Sequence, residues 1–177
     1  MLWFINPGDR YVSPDDAAIE RECNLVRTQW QFPGSYGGAP GNAASAASCR
    51  RGFFEWQVLA DGKTKQPYYI TLNDQDIFGF AALWDSSKRD DGVTVESCTI
   101  VTMPANALMT EIHNAKHRMP AILTKDDRDA WLTTTPDNAF QLLRQYPDTH
   151  MVAMPVSKRV NTPKNNDAEL IAPASVA

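Results

Sequence analysis

Gly52-Phe-Phe-Glu-Trp-Gln-Val-Leu-Ala-Asp-Gly-Lys-Thr-Lys-Gln-Pro-Tyr-Tyr-Ile-Thr-Leu72 decides the fold class of this chain. Two runs rich in aromatic and β-branched residues, 53–59 and 68–72, flank Asp61-Gly62, a dipeptide that closes tight hairpins. A turn at Asn73-Asp74 and a third such run, 77–84, extend the hairpin into an antiparallel meander. After a polar loop at 85–92, residues 93–101 alternate Val, Thr and Ile and complete a sheet of about four strands.

Outward from this sheet the pattern becomes mixed. Residues 106–116 read as a helix, 120–123 as a short strand, and 125–132 and 137–145 as helices with apolar residues about four apart. Residues 151–156 and Val160 have strand character, and 165–177 form a polar tail. On the other side, Ser13-Pro14-Asp15-Asp16 combines an N-cap serine, a first-turn proline and two acids, announcing a helix to about Val26. Leu2 to Ile5 and Arg10 to Val12 read as extended pieces. Residues 33–50 are Gly-, Ala- and Ser-rich and read as an atypical, shortened loop. The expected fold class is α+β, one domain over 1–177 with a mainly antiparallel sheet and flanking helices, and not a parallel doubly wound sheet.

Composition bounds the function. The 177 residues are 43% apolar with a net charge of −4, so any grip on nucleic acid must come from a local basic patch. Three cysteines, Cys23, Cys49 and Cys98, lack metal-ligand spacing and are odd in number, which argues against a disulfide framework or structural zinc. No run approaches the ~20 apolar residues of a membrane span, and the opening residues do not read as a secretory signal. A cytoplasmic protein is therefore expected, without a membrane partner. Phosphate-loop, dinucleotide, HExxH and Gly-x-Ser-x-Gly motifs are absent from the sequence.

Candidate chemistry lies elsewhere. Glu55 is a carboxylate inside an aromatic strand, where desolvation would suit it to acid/base work. Strand alternation alone favours the solvent face for it, with its neighbours alternating inward. His113 and His117 lie four apart, a spacing that would put them on the same side of a helix. No third metal ligand is identifiable, and Lys116 beside them disfavours a dication. Arg50-Arg51, Lys116 to Arg118 and Lys158-Arg159, interleaved with Trp30, Trp56 and Trp84, offer phosphate contacts and stacking surfaces, although tryptophans at such positions are more often core.

Several strings taken together are more specific. Arg10-Tyr-Val-Ser-Pro14, Gly52-Phe-Phe-Glu-Trp56, Lys65-Gln-Pro-Tyr-Tyr-Ile70, Phe80-Ala-Ala-Leu-Trp84, Thr99-Ile-Val-Thr102, Ile112-His113, Arg118-Met-Pro120 and Val156-Ser-Lys-Arg-Val-Asn161 resemble, in order, segments of the SOS response-associated peptidase family of abasic-site processing proteins. The resemblance implies a barrel-like α+β domain, monomeric and without a cofactor, that binds single-stranded DNA and crosslinks covalently to an abasic site. It implies Glu55 and His113 as catalytic acid/base residues, with His117 the competitor for the histidine role. It further implies DNA contacts from Arg10, Asn42, Trp56, Thr102 and Arg118, with Pro40 beside Asn42. The family's nucleophile is an N-terminal cysteine. Aligned on Arg10-Tyr11, this sequence has Gly8 there, and Leu2 follows Met1, so that thiol is expected to be missing.

Overall fold

The computed structural model describes residues 28–29, 44–74, 77–88 and 90–174. The expected N-terminal helix and extended pieces, and Arg10, Pro40 and Asn42, lie outside the described residues.

Ten strands and three short helices are found there, and every strand pair is antiparallel. One sheet runs β1 (Thr28–Gln29), β2 (Ala44–Arg50), β5 (Phe78–Lys88), β6 (Thr94–Ile100), with β9 (Ile122–Leu123) also on β5. A second has the order β10 (Met151–Pro155), β4 (Lys65–Leu72), β3 (Phe53–Val58). A two-stranded ribbon joins β7 (Thr102–Pro104) to β8 (Arg118–Pro120). This is the α+β class that the sequence implies.

The β3–β4 hairpin forms as its pattern requires, with Gly62 at φ +68° in the turn. The meander beyond it does not. β5 leaves for the other sheet, and β10 takes the edge of β4 that a meander would have given it. At the branch point, Asn73-Asp74 is tied to the segment that leads into β10. Asn73 donates from its backbone N–H to the His150 carbonyl (3.0 Å) and from Nδ2 to that of Thr149 (3.2 Å). The Asp74 carboxylate accepts from the Tyr146 hydroxyl (2.9 Å) and pairs with His150 Nδ1 (2.9 Å).

Other boundaries also move. Part of the presumed loop at 33–50 is strand, because β2 pairs with β5 over its whole length and the ladder outweighs poor intrinsic propensity. β5 likewise continues through Lys88 into the presumed polar loop, opposite Thr94. Residues 137–145 are α-helical only as α3 (Pro136–Phe140), after which Leu142 and Leu143 make tighter i→i+3 bonds. Val160 lies in a 3-10 turn, Lys158–Asn161, and not in a strand. The polar tail folds back: Arg159 pairs with Asp167 and Glu169, and Val156 bridges Pro173.

The main core sits between the two sheets, under α1 (Ala107–Ile112). It contains Ile70 and Leu72 of β4, Phe78 and Phe80 of β5, Met109 and Ile112 of α1, and Met119 of β8. Phe53, Phe78 and Phe80 meet edge to face at 5.4–6.3 Å, the arrangement ring quadrupoles favour. α1 starts where Asn106 Oδ1 accepts from Met109 N–H (2.9 Å), while Asn106 Nδ2 donates to the Tyr146 carbonyl (2.7 Å). One buried side chain thus caps the helix, typically worth about 1 kcal/mol, and docks it. A second cluster places Trp131 and Leu132 of α2 (Lys125–Thr133) against Ala81, Ala121 and Leu123.

The ribbon that carries half the site is fixed by a ring of backbone bonds. Ala81 N–H donates to Ala121, Ala121 N–H to Val101, and Val101 N–H back to Ala81, at 2.8–2.9 Å. β5 therefore passes its ladder from β6 to β9 at Ala81. Thr102 and Pro120 leave this junction as a cross-strand pair.

Candidate active site

A cleft opens where β3, the end of α1 and the β7–β8 ribbon meet, lined by Glu55, Thr102, His113, Lys116, Arg118, Met119 and Pro120. Glu55 reaches it because of strand periodicity: it shares a face with Phe53, which packs into the core, and with Gln57. The solvent-face alternative for Glu55 is thereby corrected. The carboxylate is half-buried, and its Oε1 accepts the Trp56 backbone N–H (3.1 Å), an N–H on the edge of β3 away from β4.

His113 closes α1. The helix ends at Ile112, so His113 and His117 do not share a helix face; they lie in a turn where both Lys116 and His117 donate N–H bonds to the His113 carbonyl (3.2 and 2.8 Å). His117 takes φ +49° there and is exposed, and it is not among the residues lining the cleft. The His113 ring is half-buried, with Nδ1 2.7 Å from the Arg118 carbonyl oxygen. A carbonyl only accepts, so Nδ1 carries the proton and Nε2 holds the lone pair of the neutral ring. The arrangement suits a base or proton shuttle.

Thr102 is half-buried opposite Pro120, and Arg118 is exposed opposite Pro104. Lys116 and Arg118 are two fixed cations against the single carboxylate of Glu55, a balance that favours an anionic ligand. Among the described residues no three His, Cys, Asp or Glu side chains are placed to hold a metal ion. Trp56 lies on the opposite face of β3 from Glu55, its indole Nε1 donating to Asn161 Oδ1 (2.8 Å), and it does not line the cleft. Cys49 and Cys98 sit within β2 and β6.

Sequence reasoning named Lys116 only within a basic cluster offering phosphate contacts, which the structure places on the cleft, and gave no role to Asn161. Asn161 could have been found from its place beside the basic Lys158-Arg159 pair.

The sequence profile of the family "SOS response associated peptidase (SRAP)" matches residues 34–163. The chain belongs to the SRAP family. SRAP relatives include the abasic site processing protein YoqW of Bacillus subtilis, 43% identical over 122 residues, covering 67% of this chain and 53% of that protein. The abasic site processing protein HMCES of Rattus norvegicus is 27% identical over 153 residues, covering 71% and 42%. The chain thus spans about half the length of the curated relatives it matches. Among solved structures, a protein from Bacteroides thetaiotaomicron superposes with TM-score 0.67 at 26% identity, over 93% of this chain and 72% of that one. In this SRAP chain the described elements from β2 to the Lys158–Asn161 turn all fall inside the matched region, and with them every cleft residue. No helix among the described residues is long and apolar enough to cross a membrane.

Proposed function

We propose that this chain processes abasic sites in single-stranded DNA by forming a covalent crosslink to the ring-opened sugar. The observation that carries the reading is the meeting of Glu55, His113 and Thr102 with two cations in one cleft, in a chain whose relatives bear the name abasic site processing protein. Lys116 and Arg118 hold the phosphates that flank the lesion. His113 Nε2 takes the C1′ hydroxyl proton and returns it to the ring oxygen as the C1′–O4′ bond breaks and the sugar opens to its aldehyde. A protein amine then adds to the aldehyde carbon, a C–N bond forms, and water leaves with a proton relayed by Glu55.

A second reading keeps the same scaffold as a single-stranded-DNA-binding module without crosslinking. It is favoured by Gly8 at the position where the family resemblance places a cysteine. The test is to mix the chain with a single-stranded oligonucleotide bearing one abasic site in the presence of cyanoborohydride, which reduces the C=N bond, then run a denaturing gel and intact mass spectrometry. A DNA-bearing protein band supports the first reading, and peptide mapping locates the amine. Binding without a band supports the second, and loss of binding as well overturns both.

A further inference from the structure

Among the described residues β3 pairs with β4 alone, and its other edge presents backbone groups that a strand would normally satisfy. At Val58 a side chain satisfies them instead. The Val58 N–H donates to Asn114 Oδ1 (3.0 Å), and the Val58 carbonyl accepts from Asn114 Nδ2 (2.8 Å). One carboxamide makes both bonds that an antiparallel partner residue would make. One residue earlier, Gln57 Nε2 donates to the Glu111 carbonyl (3.1 Å), while Gln57 Oε1 accepts from the Tyr68 hydroxyl (3.2 Å). Glu111 and Asn114 flank Ile112 and His113, so the turn bearing the histidine is fastened on both sides to the strand that bears Glu55.

We infer that Asn114 is a positioning residue that sets His113 against Glu55. It reaches neither substrate nor reacting atoms; it acts through the placement of the His113 turn. The segment Asn114-Ala-Lys-His117 separates Ile112-His113 from Arg118-Met-Pro120, and the clamp gives that segment a mechanical purpose. It keeps His113 docked beside β3 while the chain travels on to deliver the Arg118 carbonyl to Nδ1. The inference rests on the acid/base roles proposed for Glu55 and His113, and its tests separate the two.

The first test measures the clamp alone. In Asn114→Ala the Val58 amide loses its acceptor, and its hydrogen exchange should rise about ten-fold, the expected effect of one lost hydrogen bond. Unchanged exchange overturns the inference. The second measures single-turnover crosslinking to an abasic oligonucleotide at saturating protein, together with DNA affinity and melting temperature. Asn114→Ala should slow the rate by about 10- to 100-fold, as small misplacements of acid/base groups do, with DNA affinity within about two-fold of the parent. Asn114→Asp, nearly the same shape, should match it, since a carboxylate cannot donate to the Val58 carbonyl and repels it. In a His113→Ala background, Asn114→Ala should cost nothing further, because a residue that acts through His113 has nothing left to position. A multiplicative loss there, or an equal loss of DNA binding, would mark Asn114 as merely structural and overturn the inference. A parent chain that binds DNA but never crosslinks overturns the proposed function and this inference with it; a crosslinking parent with a fully active Asn114→Ala overturns this inference alone.

Discussion

The acid/base reading at Glu55 depends on which way one side chain faces, and alternation in Gly52-Phe-Phe-Glu-Trp56 favoured the solvent face. Phe53 settles it by packing on Phe78 and Phe80, which carries Glu55 to the same side. Glu55→Gln keeps the shape and the Trp56 N–H contact but cannot take a proton, so crosslinking should fall by about 10²–10⁴ while DNA binding stays within about two-fold. Equal losses of rate and binding in gel and anisotropy assays would remove the role. The histidine choice was only half legible in the sequence: two rings four apart suggested a shared helix face, but the helix stops at Ile112. Because His113 is locked through Nδ1 and His117 is exposed off the cleft, His113→Ala should slow crosslinking by about 10²-fold and His117→Ala by less than about three-fold. The reverse order in the same assay would reassign the base.

At the scale of elements, local chemistry was readable and partner choice was not. The β3–β4 hairpin followed from Asp61-Gly62 between two apolar runs, and α2 from its spaced apolar residues. What no local pattern carried was the departure of β5, before which Asn73 and Asp74 find partners at Tyr146, Thr149 and His150, more than seventy residues away. β2 was hidden for a similar reason, since small residues signal a loop until a long neighbouring strand supplies their ladder. The hairpin turn itself makes a prediction. The Asp61 carboxylate accepts from the Thr64 hydroxyl and from the Lys63 and Thr64 backbone N–H groups (2.9 and 2.8 Å), and these bonds, the hydroxyl first, hold its pKa below the ordinary 3.8. A depressed carboxylate stabilises the fold at pH above its ordinary value, and that contribution is lost as pH falls through the lower folded value. Asp61→Asn should therefore lower the melting temperature slightly near neutral pH, with the difference from the parent shrinking at about pH 2.5. Gly62→Ala, forced to hold φ +68°, should cost about 1 kcal/mol at either pH. Melts of both variants at the two pH values check the pair of claims.

For the whole molecule, the two sheets and the core between them bring Glu55, from the first half of the described chain, to a ribbon and turn some fifty residues later. Of the residues the family strings named, Glu55, Thr102, His113 and Arg118 line one cleft and Trp56 does not, whereas composition and periodicity alone gave only the fold class. Under the proposed function, net charge sets the terms on which such a cleft would meet DNA. At −4 overall, the chain repels a polyanion at long range, so attraction must be local, supplied on that proposal by Lys116 and Arg118 at the cleft. Two phosphate contacts on a single strand imply a log–log salt slope of about −1.4, so that a rise from about 50 to about 200 mM salt weakens binding roughly seven-fold. Arg118→Ala should halve that slope, leaving a loss of roughly three-fold over the same range. Fluorescence anisotropy with a labelled single strand across that series reads both slopes. A flat response in the parent would move the DNA path off this cleft, and an unchanged slope in Arg118→Ala would leave the phosphate contacts to other cations.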